Sequence, residues 1–509
     1  MSNKFFFLFL FTVNLIYSQD YNVASYIKMT EETMNGFYNL DNEDWFGHSV
    51  EGIGDLNGDG IEDFAIGANQ DDDGGENKGA IYIMFLNEDK TIQSVQKISE
   101  EEGGFNVSMI EWDYFGRSIS YLGDLNNDGL IEIAVGAEYD NEAGHRFGGI
   151  YILTLNPDGT VFSYQKINQI HGNFQGELEV WDVFGSDIEN IGDLNGDGNM
   201  DIAVGARRDG DGGDQRGAVW ILFLNSDFTV NSHQKISSTS GNLNIDLDYQ
   251  DYFGSSITNI GDLNNDGVID LAVGAYRDDD GGLNKGAVYI LFMNSDGAVL
   301  STQKISELEG NFNEVLTEDL RFGKSSRLAP DINGDGKTEL LVGCIDNLFY
   351  ILNLNSDGTV DGFQKYGEGF NGFEGNLNED DYFGHSVSLS SDLNGEISII
   401  VGAFGDSESG FQKGSAWILQ LGEILSIEDL DGFSNKSFLY PNPSKKSFSI
   451  NEVDGISKIQ IFDINGRMVV GFDNLEVNLF DVSYLPVGEY VVRISLENEN
   501  SRNFKLIKQ

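Results

Sequence analysis

What most constrains this chain is a repeat. The dipeptide Phe-Gly begins at Phe46, Phe115, Phe184, Phe253 and Phe322, at one constant interval, and once more at Phe383 after a shorter one. An Asp-x-Asn segment keeps the same register, opening at Asp55, Asp124, Asp193, Asp262, Asp331 and Asp392. The short step has a local cause. The fourth copy runs from Gly274 to Ile290 through an acidic loop, whereas the fifth passes from Gly343 to Ile351 directly, so a loop is deleted and the unit is unchanged. Each unit reads as four short strands, which in the second copy fall around Arg117–Leu122, Glu132–Ala137, Gly149–Leu155 and Val161–Ile167, with Gly, Asn and Asp clusters between them. Six such units predict an all-β chain folded as a β-propeller of six four-stranded blades, since one blade cannot bury both of its faces alone. Seven blades are the alternative, if the N-terminal segment and a loop build an irregular one.

The ends of the repeat predict a closed ring. Five copies finish in Gln-Lys, at Lys97, Lys166, Lys235, Lys304 and Lys365, and the sixth stops at Leu421 without one. Lys28 stands one full interval before Lys97, within Tyr26-Ile27-Lys28-Met29, a segment that belongs to no complete copy. This N-terminal strand is expected to complete the sixth blade and so remove both exposed edges.

An oxygen-rich loop sits between the first and second strand of each copy. In the first copy Asp55, Asn57, Asp59 and Asp63 occupy loop positions 1, 3, 5 and 9, Gly60 supplies a sharp turn at position 6, and Ile61 offers a backbone carbonyl at position 7. Calcium takes six to eight oxygens, and this spacing wraps them about one point. The opening matches the EF-hand template, but the acid expected at position 12 is missing and a strand follows, so the loop is EF-hand-like and set in a β-hairpin. The same set recurs as Asp124, Asn126, Asp128, Leu130 and Glu132, then as Asp193, Asn195, Asp197, Asn199 and Asp201. Two further sets are Asp262, Asn264, Asp266, Val268 and Asp270, and Asp331, Asn333, Asp335, Lys337 and Glu339. The sixth loop, Asp392 to Ser398, is shorter and lacks the glycine. The expectation is five bound Ca²⁺ ions. Tight turns alone explain Asp, Asn and Gly, but not an acid at position 9 five times over.

These repeats resemble the FG-GAP repeats of integrin α-chain propellers and their bacterial relatives. Besides the Phe-Gly elements, Ile66-Gly67-Ala68 and Val135-Gly136-Ala137 stand where that family has its Gly-Ala-Pro element, although no copy has the proline. The resemblance spans residues 21 to 422 and implies a cation loop within each hairpin. It also implies seven blades, where the count here is six.

Other features are weaker. Acidic loops after the second strand, such as Asp71-Asp72-Asp73, Asp209-Gly210-Asp211 and Asp278-Asp279-Asp280, read as solvated turns, with sites for further cations or a basic ligand group as the alternative. His48 and His385 share one repeat position in copies adjacent across the closure, and read as surface histidines with a transition-metal pair as the alternative. Trp45, Trp112 and Trp181 precede Phe-Gly and either pack their loops onto adjacent blades or form a binding rim. No catalytic residue can be assigned: nucleophile elbow, HExxH and phosphate-loop motifs are missing.

The chain carries 84 acidic against 30 basic side chains, a net charge of -54. Such a field repels phosphate backbones and anionic lipid, so nucleic-acid binding is not expected, and it tilts any partner towards something neutral, basic or bridged by calcium. The lone Cys344 excludes an internal disulfide framework. Lys4, the apolar run Phe5 to Ile16 and the small Ser18 read as a signal peptide over residues 1–18, and no later segment is apolar enough to span a membrane.

A linker, residues 423–435, leads to a different composition over 436–509, where nine basic and nine acidic side chains balance. This module resembles the C-terminal sorting domain of Bacteroidetes type IX secretion substrates, through Tyr440-Pro441-Asn442-Pro443, Ile461 to Arg467, Leu485-Pro486-Val487-Gly488-Glu489-Tyr490 and the ending Lys505-Leu506-Ile507-Lys508. The resemblance implies a small immunoglobulin-like β-sandwich that engages the type IX secretion machinery. The expectation is a monomeric, secreted or surface-attached calcium-binding propeller that binds an extracellular protein or polysaccharide. The alternatives are an enzyme degrading extracellular polysaccharide and a passive structural component, since fold alone does not settle function.

Overall fold

The computed structural model describes residues 21–508, apart from residues 35, 127, 334, 392–396, 424–438, 441–443, 451–455, 464–466, 473–478 and 497–500. The signal peptide, the linker and the opening of the sixth loop lie outside the described residues. No helix occurs among the described ones, and none therefore is long and apolar enough to cross a membrane.

Six four-stranded antiparallel sheets follow one another as blades. Blade 1 consists of Phe46–Gly54, Asp63–Ala68, Ala80–Leu86 and Ile92–Ile98, from the axis outward, and blades 2 to 5 repeat that meander. The sixth takes three strands from the end of the repeat, Ser386–Ser391, Ile397–Ala403 and Ser415–Glu423, and its outermost strand from the other end of the chain, Tyr21–Met29. Lys28 pairs with Trp417 in that register, just as Lys97 pairs with Tyr82 in blade 1. The closure expected from the spacing is present, and the blade count is six.

Burial explains the composition of the strands. The third strand of blade 1, Ala-Ile-Tyr-Ile-Met-Phe-Leu from Ala80 to Leu86, is buried along its whole length. It lies inside a blade that has neighbours on both faces, which favours a continuous apolar run over alternation. The core is accordingly divided into six clusters, each between two blades. One joins blades 3 and 4 through Ile221, Phe253 and Tyr289, and another joins blade 6 to blade 1 through Met29, Ile418, Phe46 and Tyr82.

The repeated glycines hold neighbouring blades at close range. A Cβ on Gly67 would lie 2.2 Å from the carbonyl oxygen of Gly116 in the next blade. Gly116 itself has φ of +88°, a conformation that favours glycine. That close approach lets Ser49 Oγ donate to Gly116 O at 2.8 Å, and a serine links every blade to the next, from the equivalent position in five blades and from Ser186, one residue earlier, in blade 3, the last being Ser386 to Gly47 O at 3.0 Å.

The C-terminal module forms two sheets around one core. Leu439–Tyr440, Ser447–Ile450 and Phe480–Asp481 make a small sheet, and Met468–Phe472, Ile456–Asp463, Gly488–Leu496 and Ser501–Lys508 make a four-stranded one. Phe448, Ile461, Val492 and Leu506 fill the space between them.

Candidate cation loops

Each oxygen-rich loop connects the first strand of a blade to the second, so all of them lie at one end of the strands. In the first loop Asp55 Oδ1 accepts from the Gly58 and Asp59 amides at 2.8 and 3.0 Å, and Asp55 Oδ2 accepts from Gly60 at 2.8 Å. Asn57 Oδ1 accepts from Asp59 N–H, and Asp59 Oδ1 from Ile61 N–H. The same pattern recurs around Asp124, Asp193, Asp262 and Asp331, each accepting from the amides of positions 5 and 6. Positions 1, 3 and 5 therefore point inward in all five loops. Asn126, Asn195, Asn264 and Asn333 each accept from the amide of position 5, while Asp128, Asp197, Asp266 and Asp335 accept from Leu130, Asn199, Val268 and Lys337 at position 7.

The acid at position 9 opens the second strand and is buried in every one of the five loops. Asp63, Glu132, Asp201 and Asp270 each give one oxygen to the position 2 amide, at 2.8 to 3.0 Å. Their second oxygens differ: Asp63 Oδ1 and Glu132 Oε1 are buried without a hydrogen-bond partner, whereas Asp201 Oδ1 and Asp270 Oδ1 accept from strand amides. In the fifth loop both oxygens of Glu339 are buried and make no hydrogen bond of normal geometry. One carboxylate oxygen each of Asp331, Asp335 and Glu339 lies within 4.8 Å of the other two, and no other three acidic, histidine or cysteine groups among the described residues come so close.

Electrostatics follow from that geometry. Burial, and then the charges of Asp331 and Asp335, push Glu339 up to about 8. Burial pushes Asp63 up to about 7 and Asp201 and Asp270 to about 6, and raises Glu132. Orphaned carboxylate oxygens facing other acids fit a hard divalent cation, which supplies the charge and the ligand partners they lack. On that observation the residues fit Ca²⁺.

The second set of acidic loops has another role, which no reading of the sequence foresaw. The lysine of each Gln-Lys pair turns back across its blade into the loop. Lys97 Nζ lies 2.8 Å from Asp71 and 2.7 Å from Asp73, Lys235 contacts Asp209 and Asp211, and Lys304 contacts Asp278 and Asp280. Lys28 does the same in blade 6, with Asp406 and Glu408. Blade 5, which lacks the loop, leaves Lys365 with only Glu314 at 3.5 Å. An ammonium occupies the inner side of each of these loops, while outer acids such as Glu408 and Glu142 stay exposed. The Gln-Lys repeat and the acidic repeat shared one period, and that signal would have paired them.

His48 and His385 are buried and not on the surface, with ring centroids 4.5 Å apart. Arg117 Nη1 lies 2.9 Å from His48 Nε2, and His385 Nδ1 lies 3.1 Å from His48 O. Burial, with Arg117 and Lys324 beside them, holds both rings well below their ordinary range. They are neutral packing groups beside cations, a poor setting for a metal ion. The tryptophans pack onto adjacent blades: Trp45 meets Phe404 and Trp181 meets Tyr139, while Trp112 and Trp181 stay partly exposed.

Fold and loop positions together define a six-bladed β-propeller, and four of its six units match FG-GAP repeat descriptions. Residues 46–84 and 185–222 match the FG-GAP repeat, 245–292 and 375–419 match a second FG-GAP repeat description, and 438–509 match the secretion system C-terminal sorting domain. The sorting domain indicates type IX secretion, to the cell surface or outside. The chain is similar to integrin alpha-3 of Cricetulus griseus, 35% identical over 203 residues, which cover 40% of this chain and 17% of that protein. It is 29% identical to integrin alpha-5 of Xenopus laevis over 327 residues, covering 60% and 27%, and 31% identical to human integrin alpha-11 over 235 residues, covering 44% and 18%. The chain thus spans only about a fifth to a quarter of the length of these relatives. The solved structure of Saccharomyces cerevisiae Sqt1 aligns with a TM-score of 0.33 and 13% identity over 71% of this chain and 69% of that one, a likeness too loose to bear on function.

Proposed function

We propose that the mature protein is an extracellular binding propeller, residues 21–422, whose five hairpin loops hold Ca²⁺ and which a removable sorting domain, residues 436–509, delivers to the cell surface. The observation that carries the cation reading is the fifth loop, where three carboxylates converge and the buried one, Glu339, makes no hydrogen bond of normal geometry and has only weak approaches from the Ile332 and Asn333 amides. In each loop the side-chain oxygens of positions 1, 3, 5 and 9 and the carbonyl of position 7 would hold the ion, which links the end of the first strand to the start of the second. Calcium contributes charge compensation and cross-linking there. The chain's own residues set the loop shape beforehand, since the position 1 aspartate already gathers the amides.

Binding is the reading that fits six near-equivalent blades presenting loops at both ends of a rigid ring, with the acids committed to cations and lysines. Isothermal titration of the full chain after chelation should show Ca²⁺ uptake approaching five ions per chain, with a rise in melting temperature that Mg²⁺ matches poorly. A melt identical in calcium and in chelator refutes the cation role. For the ligand, a glycan array and a surface-protein pull-down should yield a binder, whereas release of sugar products would identify an enzyme instead.

A further inference from the structure

The opposite end of the ring, where Phe-Gly begins each blade, has a different electrostatic character. A small cavity of about 50 Å³ lies on the axis and opens to solvent, and His48, Arg117, Ser186, Ser255, Lys324 and His385 line it from the same position of all six blades. Arg117 and Arg207 are both buried and share the single carboxylate of Glu138, at 2.9 and 3.0 Å. Lys324, 8% exposed, has no carboxylate within ion-pair distance among the described residues, and its ammonium lies over the face of Tyr276 at 5.4 Å. Burial and then the guanidiniums of Arg117 and Arg207 hold that ammonium well below the usual lysine range. Glu138 and Asp187 are the acids facing it.

Around the mouth the same chemistry continues from blade to blade. Arg146 lies over Tyr139 and Trp181 at 4.1 and 4.0 Å, Arg208 lies 5.5 Å from the rings of both Trp181 and Tyr252, and Arg277 lies over Tyr252 at 4.9 Å. The Nε atoms of Arg208, Arg277 and Arg321 are buried with no hydrogen-bond partner. None of Arg146, Arg208, Arg277, Arg321 and Lys324 makes an ion pair among the described residues. In a chain with 84 acids and 30 bases, leaving five basic groups unpaired on one face runs against composition. Guanidiniums without a carboxylate, and with an aromatic plane alongside, suit planar carboxylates approached from solvent.

We propose that this cup is the ligand site of the propeller and that its ligand is an acidic polysaccharide, a uronate chain whose carboxylates meet successive arginines while its sugar rings lie against the exposed Trp112 and Trp181. The proposal rests on the reading of the protein as a binding propeller. It reverses the partner suggested by net charge, because a ligand in the cup meets the groups within contact distance, where Arg146, Arg208, Arg277 and Arg321 have no ion-pair partner among the described residues although Glu138 and Asp187 lie beside Lys324. A polysaccharide suits it better than a peptide since the arginine and aromatic pair recurs from blade to blade, as charge recurs along a uronate chain.

The test is binding of the full chain, in calcium, to short oligogalacturonate, with dextran as a neutral glycan and polyglutamate as an acidic peptide. Oligogalacturonate should bind and weaken with added salt. Arg208→Gln and Arg277→Gln should each lower affinity about tenfold, the scale of one charge-assisted contact, with the melt of the parent retained. Lys324→Met is the second variant, close in shape within the cavity and expected to weaken binding likewise. Equal binding of dextran, or arginine variants that bind like the parent, overturns the cup while leaving a binding propeller standing. Polyglutamate bound in its place overturns the polysaccharide assignment. If no glycan or protein binds at all, the underlying binding reading falls with it.

Discussion

At the scale of residues, the aspartates before Phe-Gly show how burial tunes single groups. Asp44 Oδ2 accepts the Asp41 amide at 2.6 Å, and Asp113, Asp182 and Asp251 cap their own loops in the same way. Burial above all, and then the next carboxylate, Asp71, pushes Asp44 up to about 8; burial pushes the other three up to about 7. An acid raised in the fold holds a proton that the unfolded chain releases near pH 4, so its stabilisation is lost as pH climbs from about 4 to about 8. Other groups titrate in the same range, and a difference measurement isolates this one. Asp44→Asn, which keeps the accepting oxygen, should match the parent at or below about pH 4 and melt progressively higher than it as pH rises from about 4 to 8. A difference that stays constant with pH contradicts the assignment.

At the scale of elements, every blade but the fifth is locked by its outer-strand lysine. Lys97 and Asp71 are nearly inaccessible, with side-chain exposures of 7% and 4%, whereas Lys365 and Glu314 are each 26% exposed and 3.5 Å apart. Removing one partner of a buried pair strands the other, at a cost of about 3–5 kcal/mol, while an exposed pair contributes about 0–1 kcal/mol. Lys97→Met should therefore lower stability by several kcal/mol in chemical denaturation and Lys365→Met by about 1 kcal/mol or less. Equal losses would mean that the lysines act only through packing on Tyr82 and Tyr350. Strand positions were legible from the sequence almost to the residue, as in Gly149–Leu155, because apolar runs and turn residues alternate so regularly. The lysine lock was not, since it joins the fourth strand to a loop two strands earlier, as Lys304 to Asp278, and contacts at that separation leave no local pattern.

At the scale of the whole molecule, closure is the dominant constraint. The N-terminal strand pairs with Ser415–Glu423 along its length, carries Met29 into the core and brings Lys28 to Asp406. Deleting residues 21–30 should open blade 6 on both sides and cause a cooperative loss of stability. A truncated chain with the parental melting temperature would show that the ring holds without it. Across the axis, Arg327 of blade 5 reaches both Glu51 of blade 1 and Glu189 of blade 3, so opposite sides of the ring also share one ion-pair network.

The sequence alone determined the repeat, the six blades, the closing strand and the positions of the cation loops. All of these are periodic, and a long constant period with oxygen-bearing side chains at fixed offsets is readable without coordinates. Only the tertiary structure decided which acids are left without a basic partner, which are matched by lysine, and where unpaired positive charge collects. The last of these depends on non-repeating residues, such as Arg117, Arg207, Lys324 and His385, brought together on the axis from different blades. Net charge sums over the chain and cannot show such a cluster, because electrostatic interaction falls with distance and only folding sets the distances.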